Sequence, residues 1–236
     1  MQASGFQNRG AAVQLAQHGN LLLEVGRMDD AAAVLMEGLA IAEPAGDDRI
    51  ASALNVGMVK VHLANGAFEP ARDYLAAAEA YVHEGEPKPL VYGIETQRAK
   101  LHRLTGQLDA AARGIDELLA NMGYPEARRG SNLNQALAEG VEIHRESGNY
   151  ERAGELVNGL VERLEEQMRP GSEASILLGR ALVQRAGLHI DSGDRAAAAA
   201  DLESALPHLD YALGEDHEET QEVRRLLASA QQFEPN

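Results

Sequence analysis

The sequence predicts an all-helical solenoid of five helix hairpins closed by a capping helix. Three observations predict it: five look-alike turns at regular spacing, clusters of helix breakers between them, and an Ala- and Leu-rich composition with 4% aromatic residues and no Trp. Ala and Leu lose little side-chain freedom in a helix. Runs of alternating Val, Ile, Thr and aromatic residues, which would mark strands, are absent.

The turns read Gly26-Arg-Met-Asp-Asp-Ala31, Gly66-Ala-Phe-Glu-Pro-Ala71, Gly106-Gln-Leu-Asp-Ala-Ala111, Gly148-Asn-Tyr-Glu-Arg-Ala153 and Gly193-Asp-Arg-Ala-Ala-Ala198. Their glycines are spaced 40, 40, 42 and 45 residues apart. Such self-similarity at a fixed period is the signature of stacked repeats. Five residues after each Gly stands an Ala, and nine after it stands Leu35, Leu75, Ile115, Val157 or Leu202. Five residues before it stands Leu21, Val61, Leu101, Ile143 or Leu188. Gly ends the first helix of a hairpin in a left-handed cap. The Ala lets two backbones approach, and the bulky residue one turn later fills the space between helices.

Breaker clusters separate the hairpins: Glu43-Pro-Ala-Gly-Asp47, Gly85-Glu-Pro-Lys-Pro89, Gly123-Tyr-Pro125, Arg169-Pro-Gly171 and Gly214-Glu-Asp216. The expected organisation is one domain over 1–236, with repeats at about 5–44, 45–86, 87–124, 125–170 and 171–214 and a capping helix at 216–231. Asp216 stands where that helix's N-cap belongs, and Val223, Leu226, Leu227 and Ala230 share its apolar face. Pro207 is expected to kink the tenth helix.

The Gly, bulky, two polar, Ala run resembles the turn and second-helix start of the tetratricopeptide repeat (TPR) family, over about Ala12 to Ala230. The resemblance implies a right-handed superhelical solenoid whose first helices line a concave groove. The repeats are longer than the family's usual 34, and its first-helix Trp is missing. The family's small mid-helix residue survives as Gly19, Ala99 and Ala186. Residues 213–220, LGEDHEET, are similar to the link in kinesin-light-chain-like and bacterial-regulator TPR segments. HEAT or armadillo repeats, of similar length, are the alternative fold, and the Gly-to-Ala turn spacing argues against them.

Lys plus Arg number 21 and Asp plus Glu 37, giving a net charge of −16. Such a chain repels nucleic-acid phosphates and anionic membranes, and few aromatics leave no platform for bases. No Cys means no disulfide, thiolate or Cys-ligated zinc. The N-terminus lacks a basic region followed by an apolar run, and no stretch approaches a membrane span, so a cytoplasmic protein is expected. The chain starts almost directly in its first helix, as a fragment of a larger protein would.

His62, His102, His144 and His189 stand four residues before their turn glycines, with Leu22 in the first repeat. The functional readings are a metal row or a pH sensor, and a metal row would need convergence on ligand distances of about 2.1 Å. Equivalent positions in stacked hairpins lie about 8–10 Å apart, so packing between paired helices is expected instead. Asp216-His217-Glu218-Glu219 reads as a helix start, not a metal cluster. There is no HExxH, phosphate loop or GxSxG motif, so no enzyme, cofactor or metal is implied.

Carried onto this chain, the resembled family's groove columns lie six, three and two residues before each turn Gly. They include Lys60, Leu63, Lys100, Arg103, Glu142 and Arg145. Four of the scarce cations fall in the middle repeats, and Lys100 and Arg103 share a helix face. The implied function is a scaffold whose groove holds another protein or peptide offering acidic groups there. The bland reading is that these cations only pair with Glu142, Glu146 and their neighbours. The resembled family's carboxylate-clamp pattern is not reproduced. Arg113 and Arg163 are expected on the outer side. The alternative function is a ligand-sensing segment of a bacterial regulator.

Overall fold

The computed structural model describes residues 2–82, 88–126, 130–168 and 174–232. They form eleven helices and no strand. The chain divides into two compact units, 1–114 and 115–236. The first holds α1 (Gln2–Glu24), α2 (Met28–Ala42), α3 (Asp48–Ala64), α4 (Phe68–Ala80), α5 (Lys88–Leu104) and the start of α6 (Leu108–Asn121). The second holds the rest of α6, then α7 (Ser131–Glu146), α8 (Tyr150–Gln167), α9 (Ile176–Ser192), α10 (Arg195–Leu213) and α11 (Glu218–Gln231). None of the described helices is long and apolar enough to cross a membrane.

All five turns share one hydrogen-bonding scheme. The turn glycines have φ between 68° and 82°, a left-handed region that side chains strain. Each Gly N–H donates to the carbonyl three residues back. The next N–H donates to the carbonyl of Leu22, His62, His102, His144 or His189, at 2.8–2.9 Å. This is the Schellman arrangement, which satisfies the helix's last carbonyls. The residue after the Gly then opens the second helix. Its carbonyl accepts from the N–H of Ala31, Ala71, Ala111, Ala153 or Ala198, at 2.9–3.1 Å. In the last two turns Asn149 and Asp194 also cap the helix with their side chains.

The columns read from the sequence become the core. The five alanines are 0% exposed, and Leu35, Leu75, Ile115, Val157 and Leu202 are all buried. The column before the turns is less uniform. Val61, Leu101 and Ile143 are buried, whereas Leu21 is 61% exposed. Val61 joins the α2 residues Leu35 and Leu39, and Leu101 joins Leu75 and Ala78 of α4, so this column faces the preceding hairpin.

Leu35 sits between two glycines. A Cβ at Gly19 of α1 would lie 2.6 Å from Leu35 Cδ2, and one at Gly57 of α3 would lie 2.8 Å from it. The missing side chains thus create the slot that a full leucine fills.

At the C-terminus, α11 buries Val223 and packs Leu226 and Leu227 against Leu202 and Leu209 of α10, as its apolar face predicts. Its N-cap is His217 rather than the expected Asp216: Nδ1 accepts from the Glu219 N–H at 3.2 Å. The helix begins one residue later than the acidic cluster suggests. The α10 helix runs on through Pro207.

Candidate protein-binding face

In the first unit, α1, α3 and α5 place Glu24, Lys60 and Lys100 within electrostatic reach of one another. Lys60 is half-buried. Burial first, and the Lys100 ammonium second, push its pKa down, with Glu24 opposing. Neither Lys60 nor Lys100 has an ion-pair partner within 4 Å among the described residues. Arg103 is half-buried and does have a polar partner. Leu63 points elsewhere: it is 4% exposed, in the cluster of Val59, Leu75 and Ile94.

In the second unit, Arg145 is clamped. Its Nε lies 2.6 Å from Asp191 Oδ2 and its Nη2 3.3 Å from Asp191 Oδ1, across to α9. Glu142 stands 3.9 Å away on the same helix and accepts from Gln184 at 2.7 Å. The hydrogen bonds that Arg145 donates to Asp191 hold its guanidinium above its ordinary pKa. The cation is largely spent within the fold, while Lys60 and Lys100 are not.

The histidines touch their surroundings one by one. The His62 ring stacks on Tyr74 of the paired α4, with centroids 5.1 Å apart, and His189 Nε2 lies 3.6 Å from Asp201 of the paired α10. His102 Nδ1 meets Gln107 in its own turn at 3.1 Å. His144 is 3% exposed and turns to Asp116 of α6, 3.3 Å away, not to its paired helix. Arg152 of α8 binds the same carboxylate and so bridges the two helices.

Arg163 corrects the sequence reading. It is 8% exposed, with Nε donating to Asn134 of α7 at 3.3 Å, so it faces inward. Asn134 offers its amide there and also donates to Gln167. Arg113 is exposed, as expected.

Lys60 yields a stability prediction. A half-buried cation beside another cation costs free energy that an apolar side chain would not. Lys60→Met should therefore raise unfolding stability by about 1 kcal/mol, or roughly 2–4 °C in melting temperature. The sign with pH follows from the lowered pKa. Between the folded-state pKa and 10.5 the unfolded chain holds the proton and the folded chain does not. Stability from this group therefore rises with pH across that window. The gap between parent and variant, followed by thermal denaturation, should shrink from pH 7 to pH 10; a constant gap would remove the electrostatic cause.

Paired antiparallel helices joined by Schellman turns, with small residues at the crossing, define a TPR protein. A family model for the MalT-like TPR region matches residues 2–209, and the chain belongs to that family. No curated protein sequence matches it. Solved structures share the fold at low identity. BtubC (BKLC) from P. vanneervenii matches with a TM-score of 0.55 at 17% identity, covering 99% of this chain and 92% of that one. Kinesin light chain TPR-like repeats from Podosopora anserina match with a TM-score of 0.56 at 15% identity, covering 86% and 96%. PilF of Pseudomonas aeruginosa matches with a TM-score of 0.53 at 12% identity, covering 95% and 90%.

Proposed function

We propose that this chain is a protein-binding scaffold that receives an acidic segment of its partner on the first-helix face around Lys60, Lys100 and Arg103. The observation that carries this reading is two lysines within electrostatic reach of each other, with no ion-pair partner within 4 Å among the described residues, in a chain of net charge −16. Folding gains nothing from that juxtaposition, so a carboxylate brought by another molecule would relieve it. Glu142 and Arg145 contribute less, because Asp191 and Gln184 already occupy them.

The test begins with affinity capture of the partner, followed by titration of the purified pair. Lys100→Glu with Arg103→Glu should weaken binding at least about tenfold, because reversal adds repulsion to lost attraction. Parent binding should also weaken as salt rises from low to physiological strength. The control reverses Arg113 and Arg225, both exposed, and should change little. Unchanged affinity in a folded groove variant would move recognition off this face.

A further inference from the structure

The second helices α2 and α4 of the first unit frame an open cleft of about 470 Å³. Met36, Tyr74 and Ala77 form apolar walls, Glu43 and Asp73 stand at the rim, and Asn55 of α3 lines the floor. The cleft shares no lining residue with the face of Lys60, Lys100 and Arg103.

Two residues there depart from their repeat columns. Ten residues after the turn Gly, the other repeats carry Ala76, Asp116, Asn158 and Glu203; here stands Met36, 56% exposed. Eleven residues before it, three repeats carry Leu15, Leu137 and Leu182; here stands Asn55, 2% exposed. A leucine at 55 would fill the space and add to the core. The amide instead leaves a cavity and donates Nδ2 to the Ala51 carbonyl at 2.9 Å. Its Oδ1 has no protein partner among the described residues. Helix packing requires neither choice.

Besides the Tyr74 hydroxyl, which can donate or accept, the polar side-chain atoms that the cleft offers are acceptors: the Asn55 amide oxygen and the Glu43 and Asp73 carboxylates. One acceptor at the bottom of an apolar slot, with two carboxylates at its mouth, fits a donor-only cation on an aliphatic stem, which is a lysine or arginine side chain. Exposed Met36 gives an adaptable contact for an apolar neighbour. We propose that this cleft docks a segment of another protein that inserts a lysine or arginine between α2 and α4 and lays an adjacent apolar side chain on Met36. The site is separate from the acidic-partner face, so the scaffold holds two chemically opposite ligands. The charge of −16 favours a basic partner's approach.

The probe is a fluorescein-labelled amphipathic helical peptide of Leu, Ala and Arg, with a second peptide carrying Glu for every Arg. Anisotropy should show saturable binding of the first and none of the second. Asn55→Leu should weaken binding about tenfold or more while leaving the protein folded. Asp73→Lys, at an exposed position, should do the same without touching the core. The Lys100→Glu, Arg103→Glu protein should bind the probe as the parent does, which separates this site from the proposed groove. Backbone amide shifts in ¹⁵N spectra should cluster on α2, α4 and Asn55. The proposal is overturned by no binding up to about 1 mM, by equal binding of the Glu peptide, or by full binding to Asn55→Leu and Asp73→Lys. The last result would mean attraction by net charge alone.

Discussion

Leu35→Ala is expected to cost about 3–4 kcal/mol of unfolding stability, near the upper range for a buried leucine. The side chain is 0% exposed and lies between Gly19 and Gly57. When a leucine is truncated, neighbouring side chains usually relax into part of the void. Here two of the walls are glycine backbone, which has no side chain to move. A coupled test sharpens the claim. Gly57→Ala alone should destabilise by about 1–2 kcal/mol, because its Cβ would meet Leu35 Cδ2 at 2.8 Å and overpacking outweighs the gain in helix propensity. In the Leu35→Ala background the same change should be neutral or stabilising, since the methyl enters vacated space and Ala is the better helix former. Urea unfolding of the four proteins, followed by circular dichroism, measures the cycle. Additive costs would rule out direct contact as the cause.

Asp201→Ala should cost about 2–3 kcal/mol. Asp201 is 7% exposed and receives both arms of Arg185, at 2.8 and 2.6 Å, with His189 3.6 Å away. The carboxylate thus ties the first helix of the last hairpin to the second. Its hydrogen bonds are the main reason the Arg185 pKa is pushed up. Removing it strands a partly buried guanidinium, which costs more than the pair contributes net. Arg185→Met in the Asp201→Ala background should therefore recover much of the loss. If the double variant is no more stable than Asp201→Ala alone, the stranded charge is not the cause.

The histidine column shows how far a sequence column carries. Its spacing fixes a common backbone role, because each carbonyl in the column, including that of Leu22, accepts the Schellman bond. The side chains share no such role: one stacks on Tyr74, one meets Gln107, and two approach different carboxylates. The backbone bond closes over five residues and is set locally. The imidazole's neighbour comes from another helix and varies with it.

The same division runs through the whole molecule. The sequence by itself determined the turns, the alanine and leucine columns and the helical hairpins. Those depend on φ preferences and on i,i+4 geometry within one or two turns of chain. It also placed four of the cations, Lys60, Lys100, Arg103 and Arg145, within six residues before the turn glycines. Only the tertiary structure decided which of them find an ion-pair partner among the described residues. Arg145 meets Asp191 across 46 residues of chain, Arg163 turns inward to Asn134, and Lys60 lies within electrostatic reach of Lys100. The exposure of Leu21 and the cleft above Asn55 were settled there too. Helical periodicity says which face of a helix a residue occupies. Whether that face meets a countercharge, a packed neighbour or open solvent depends on the rotation and axial offset of the next helix, set by the summed packing of side chains far apart in sequence.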